Sequence, residues 1–334
     1  MIFKNKKLLL VLLPVSLLSI LAIFWMISKT NQTTKTENFP ASTIKPVYEG
    51  SFGDLITTEV NTTQFPDKLP LLEISHQKLE DQYVYDIASK LGFSGTPKST
   101  KDVNKGNVLY WTNQTASVFF FPETATIEYN SSLPYDQAVG KPLSDVALVD
   151  TAKKFLTENN FLKEDEIGQT EIAYLVKSSQ YQGFEPGTKD DALVYKIAFT
   201  PRKANYEIVT PNAGEQTVTV STLADGTVWS AKIVKFTILG NPTEEVRIKK
   251  YERVIADFAE QAILMGITNA QILLNDLAKD DIQKTTITSV KLAYLQGSPK
   301  STLLYPIFLI TGESEVTGYT KKVKTIFYMY ADDK

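Results

Sequence analysis

The chain has 334 residues, a formal net charge of −3 and no cysteine. That length buries a core without covalent staples, and the missing thiols exclude disulfides and a lipid-modified cysteine. All 38 acidic residues follow Thr30, whereas Lys4, Lys6, Lys7 and Lys29 precede it, so the remainder holds 31 bases against 38 acids, a net −7. A mildly acidic surface argues against nucleic acid, which demands a basic face, and against an electrostatic hold on anionic lipid.

Leu8 to Ile27 is an uncharged apolar run of twenty residues. At about 1.5 Å of rise per residue, a helix of that length covers a bilayer core of about 30 Å. The lysines before it keep the N-terminus inside, and Trp25 suits the outer interface. A cleaved signal would have a core of about 7–15 residues and a small-x-small site, which Trp25-Met26-Ile27-Ser28-Lys29 does not offer. The expectation is a cytoplasmic tail (1–7), a membrane helix (8–28) and a C-terminal part outside the cell membrane, crossed once.

Residues 29–70 are rich in Thr, Asn, Ser and Pro and read as a polar stalk. A first α+β unit is expected over 71–140. Leu79, Val84, Ile87 and Leu91 share one helix face with Gly92 as stop, followed by strands at Val108–Trp111, Ser117–Phe121 and Thr126–Tyr129. A second unit is expected over 141–239. Ser144 caps a helix bearing Val146, Val149, Ala152, Phe155 and Leu156. Strands follow at Glu171–Val176, Leu193–Thr200, Gln216–Leu223 and Thr227–Phe236, with a longer loop around Gly183–Asp191 and a hairpin signal at Asp225-Gly226. A third unit is expected over 240–334: a helix from Thr243 to about Met265 stopped by Gly266, a short helix over Asn269–Lys279, then strands Thr285–Leu295, Leu303–Thr311 and Lys322–Tyr330. The strings Ile172-Ala173-Tyr174-Leu175 and Leu292-Ala293-Tyr294-Leu295, each followed by a second Tyr-containing strand, echo one another across units. The fold class expected is therefore α+β, with antiparallel sheets each packed by a helix and repeated two or three times.

Val218-Thr219-Val220 and the Asp225-Gly226-Thr227-Val228 turn resemble the last hairpin of PepSY-type modules. The C-terminal pattern is similar to the extracytoplasmic YycH/YycI-type regulators of a bacterial histidine kinase. It is carried by Val290-Lys291-Leu292-Ala293-Tyr294, a polar loop, Leu304-Tyr305-Pro306-Ile307-Phe308, and a strand ending Tyr330-Ala331. That resemblance implies one N-terminal membrane helix, α+β outer domains and a sensor kinase as partner. Phe308 stands where the family pattern leads one to expect a tryptophan.

Few residues suit catalysis. His76 is the lone histidine, no HExxH or G-x-S-x-G occurs, and Ser75-x-x-Lys78 lacks the companion strings of penicillin-recognising enzymes. The pairs Asp190-Asp191, Glu244-Glu245, Asp280-Asp281 and Asp332-Asp333 are neighbours along the chain and do not face each other across a cleft. No catalytic, cofactor or metal residue is assigned. The expected role is a membrane-anchored regulatory module acting by contact on an envelope protein, without nucleic acid. The Tyr294 to Tyr305 hairpin, with Ser298 in its loop, is the candidate contact surface. An envelope enzyme or accessory factor, and passive binding of peptide or glycan, stay open as alternatives. The full chain should sediment with membranes and keep its N-terminus; fractionation with N-terminal sequencing checks this, and a soluble form starting near Lys29 would refute the anchor.

Overall fold

Strands dominate this chain, which corrects the α+β expectation. The computed structural model describes residues 54–57, 60, 64–75, 81–135, 141–179, 183–203, 205–211, 216–235, 237–239, 244–268, 281–297 and 301–333. The expected tail, the membrane helix Leu8–Ile27 and most of the stalk lie outside them. Strands take up 52% of the described residues. Among the described residues there are three α-helices, α1 (Asp81–Lys90), α2 (Asp145–Glu158) and α3 (Tyr251–Gln261). No helix among them is long and apolar enough to cross a membrane.

The described chain begins with three short strands, β1 (Asp54–Thr57), β2 (Lys68–Pro70) and β3 (Leu72–Ser75), which pair with strands far along the sequence. After α1 comes a meander of β4 (Lys98–Asp102), β5 (Gly106–Thr112), β6 (Ala116–Phe121) and β7 (Thr126–Ser131). After α2 come β8 (Ile167–Lys177), β9 (Phe184–Pro186), β10 (Val194–Lys203), β11 (Tyr206–Val209), β12 (Val218–Thr222) and β13 (Val228–Val234). These strands do not form separate sheets. β7 pairs antiparallel with β13, giving one nine-stranded sheet in the order β4-β5-β6-β7-β13-β12-β10-β8-β9. The join is centred on Glu128 opposite Lys232. The order of elements is the same on either side of that join, α1-β4-β5-β6-β7 on one and α2-β8-β10-β12-β13 on the other.

Alternation along the strands sends every second residue to one face. Trp111, Val118, Phe120, Ile127, Ala231, Ile233, Val218, Val220, Ile197 and Phe199 form a single buried cluster with Val84, Ile87 and Ala88 of α1 and Leu148, Ala152 and Leu156 of α2. Both helices therefore cover the same face. α2 starts where the Ser144 hydroxyl accepts from the Ala147 N–H at 3.2 Å. It ends where Asn160 takes a left-handed φ of 58° and the Phe161 N–H reaches back to the Leu156 carbonyl at 2.9 Å, a Schellman-type stop. Between β12 and β13, Gly226 has φ 86°, the left-handed backbone that favours glycine.

The second sheet is built from β14 (Thr237–Leu239), β16 (Ile263–Thr268), β17 (Ile282–Gln296), β18 (Leu303–Val316) and β19 (Val323–Tyr330), with β15 (Glu245–Arg247) pairing β2 in a small ribbon. β17-β18-β19-β16 run antiparallel, β1 and β11 lie parallel along β17, and β3 joins β18 to β14. β10 continues into β11, so the two sheets share one hydrogen-bonded network. Phe258 of α3 meets Phe327 edge-on at 5.0 Å. The buried hydroxyls of Thr285, Ser314 and Thr325 satisfy one another at 2.8 and 2.7 Å, so this polar stripe carries little desolvation cost.

Several expectations fail for one reason: strand pairing overrides local pattern. The helix expected over Thr243–Met265 contains β15, a shorter α3 and β16, whose Ile263-Leu264-Met265 run pairs with β19. The loop at Gly183–Asp191 holds β9. The polar segment Lys98–Asp102 is a strand because β5 supplies its hydrogen bonds. The end of the stalk is part of the fold, with Asp54–Thr57 on β17, Lys68–Pro70 on β15 and the Phe65 ring 4.9 Å from that of Phe308. The expected helix over Asn269–Lys279 lies outside the described residues. The Tyr echo also differs in register. Tyr174 sits opposite Tyr195, whereas Tyr294 sits opposite Pro306, so Tyr294 and Tyr305 point to opposite faces.

A core shared by both helices should melt as one. Ile127→Ala, at the β7–β13 seam, should cost about 2–5 kcal/mol and leave a single transition; denaturant unfolding followed by fluorescence measures both, and two separated transitions would refute the shared core.

Candidate functional site

The sequence named Tyr294, Ser298 and Tyr305. Tyr294 is 2% exposed and Tyr305 6% exposed, so neither presents a contact surface. The Tyr294 hydroxyl donates to the Pro70 carbonyl at 2.9 Å and its ring meets Tyr206 edge-on. The Tyr305 ring stands 6.4 Å from Tyr330. Ser298, His76 and Asp280 lie outside the described residues. Glu245 is held in β15 by Lys68 at 3.4 Å instead of opening a helix. Asp191 accepts from the Thr188 hydroxyl at 2.7 Å. Among the described residues no three acidic or histidine side chains gather as a metal site would require.

A groove of about 1030 Å³ opens where the nine-stranded sheet meets the second sheet. Local sequence builds it piece by piece. The stop at Asn160 drops Phe161 into the core and leaves the C-terminal half of α2, with Lys153 and Lys154, as one wall. A 3-10 turn, Glu164–Glu166, follows, held by the Glu166 carboxylate accepting from the Lys163 N–H at 3.0 Å. A bulge between Phe199 and Pro201 turns the end of β10 towards that turn, where Arg202 Nε donates to the Asp165 carbonyl at 2.8 Å. Pro201, Arg202 and Lys203 thus form the opposite wall. The floor is apolar: Phe161, Leu162, Ile167, Val234, Ile208 and Ile238. Ile208 and Ile238 belong to the cluster that holds Tyr294, so that tyrosine supports the floor from behind.

Lys235 closes one end. Leaving β13, it places Nζ 2.7 Å from the Tyr83 hydroxyl and 4.0 Å from the centroid of that ring. Burial lowers the Lys235 pKa, with Glu166 acting against this and Lys163 with it. Burial raises the Tyr83 phenol well above its ordinary value, so the phenol keeps its proton at neutral pH.

The charge of the groove opposes that of the chain. Six bases line it, Lys153, Lys154, Lys163, Arg202, Lys203 and Lys235, against four acids, Asp150, Glu158, Glu164 and Glu166. Of the bases, only Lys154 has a carboxylate in ion-pair range among the described residues, Glu158 at 3.6 Å. Sequence reading missed this site because its charges come from α2, the 3-10 turn after it, β10 and the exit of β13. The Pro201-Arg202-Lys203 end of a strand is the one local signal it offers.

No family model matches this chain, and no curated protein matches it. Among solved structures, the crystal structure of an uncharacterized protein from Eubacterium rectale ATCC 33656 aligns over 83% of this chain and 86% of its own, with TM-score 0.48 and 11% identity. That likeness carries no functional argument.

The folded chain releases the Lys235 proton more readily than the unfolded one, because burial disfavours the ammonium. Stability should therefore rise as pH climbs from the folded value towards 10.5. Tyr83 acts in the opposite sense above about 10, so the comparison belongs below that. Thermal melts of wild type and Lys235→Met should diverge over this window, the wild type gaining; parallel curves would refute the burial of this charge.

Proposed function

We propose that the protein is a membrane-anchored module that regulates an envelope protein by contact, and that the groove between its two sheets is the contact site. The anchor reading rests on Leu8–Ile27 and its lysine flank. A sensor kinase as partner rests on the resemblance to YycH/YycI-type regulators. The observation that carries the contact reading is the groove itself. It pairs a fixed apolar floor with a rim of charged side chains, the arrangement that excludes water at the centre and fixes register at the edge. Tyr294, buried in the cluster that includes Ile208 and Ile238, takes a supporting place in this scheme.

Photo-crosslinking in intact cells tests it. A photoreactive residue at Lys163 or Lys203, both exposed on the rim, should give one common protein adduct. The same residue at Lys98, on the exposed β4 edge, should not. No adduct from the rim, or the same adduct from Lys98, would refute contact through the groove.

A further inference from the structure

We infer that the occupant of the groove is an acidic, extended peptide segment of the partner protein, with apolar side chains interleaved between its carboxylates. This rests on the contact reading and deepens it.

Charge comes first. The groove has two more bases than acids, in a chain whose part beyond Thr30 has seven more acids than bases. Lys153, Lys163, Arg202, Lys203 and Lys235 have no carboxylate in ion-pair range among the described residues, Glu166 and Glu207 acting on Lys235 and Arg202 from farther off. Arg202 is held by the Asp165 carbonyl through Nε, which leaves the two terminal nitrogens of its fork for a carboxylate. A base with no internal partner inside a concave surface attracts an anion, because low-dielectric walls focus its field.

The floor narrows the class of anion. Leu162, Val234 and Ile238 are half-buried on the floor, over the buried Phe161, Ile167 and Ile208, so the strip beneath the bases offers apolar surface. A purely polar polyanion would lose hydration against that strip without gaining a partner. A peptide alternates: in extended form, successive side chains point to opposite sides, so carboxylates can meet the rim while apolar groups meet the floor. The volume also fits. About 1030 Å³ lies at the upper limit of about 300–1,000 Å³ typical for small ligands, as a chain segment requires. Lys235, fixed over the Tyr83 ring, is a charge already oriented before the occupant arrives, so little ordering is needed at that end.

Fluorescence anisotropy on the full chain in a mild detergent tests this with labelled dodecapeptides. The series alternates leucine with glutamate, glutamine or lysine, and a fourth alternates serine with glutamate. The glutamate–leucine peptide should bind roughly tenfold or more tighter than each of the others, and the preference should shrink as salt screens it. Lys163→Glu with Lys203→Glu should remove the preference while keeping the melting curve; Lys98→Glu with Lys101→Glu, on the distant β4 edge, should leave it intact. Equal binding of the glutamine peptide would overturn the charge argument. Equal binding of the serine peptide, or inorganic polyphosphate binding as tightly as the best peptide, would overturn the peptide and leave a general anion site. Loss of preference in the β4 variant would overturn the location. If groove adducts persist in cells while the glutamate peptides fail, the partner's chemistry is wrong and the contact reading stands; if the adducts are absent, the contact reading itself falls.

Discussion

The antiparallel pairing of β7 with β13 is the interaction on which the rest of the molecule depends. Each of these strands would otherwise be an exposed edge, a row of open N–H and C=O groups. Joined, they turn two helix-and-meander units into one sheet with α1 and α2 over a common core. The pairing also fixes where the chain leaves the sheet. β13 exits beside β7, under α1, which is why Lys235 meets Tyr83 across 152 residues of sequence.

From that exit the chain crosses to β14 and the second sheet, and β10 crosses by its own route into β11. Two crossings at one end of the sheet leave a space between the layers. Its floor is the residue of two cores, Phe161 and Ile167 from one and Ile208 and Ile238 from the other. Its rim holds what could not enter either core. Long basic side chains suit this position, because their stems cover apolar surface while their charges stay in water. Lys235 is the exception, drawn in far enough that its charge is disfavoured and answered by an aromatic face.

Much of the local structure was legible. Ser144 capping α2, the Asp225-Gly226 turn and the alternation of Val218 and Val220 depend on neighbours in sequence, and each side chain's own chemistry decides them. The failures share the opposite character. Lys98–Asp102 carries no apolar signal, yet it is a strand because β5 lies beside it. Ile263-Leu264-Met265 suits a helix as well as a strand, and β19 decides. Tyr294 and Tyr305 look like an exposed hairpin pair, but a one-residue difference in register sends them to opposite faces, and both are buried.

By itself the sequence determined the apolar run Leu8–Ile27, the absence of disulfides, the caps and turns, and the acidic balance of the part beyond Thr30. These are properties of composition and of contacts between near neighbours. Only the tertiary structure decided that the first two units share one sheet, that the stalk's end is woven into the second, and that Lys163, Arg202, Lys203 and Lys235 gather around one groove. The physical reason is that hydrogen bonds between strands carry no record of sequence separation. A strand pairs with whichever edge the closing of the core brings beside it, and the charges at its ends are carried along.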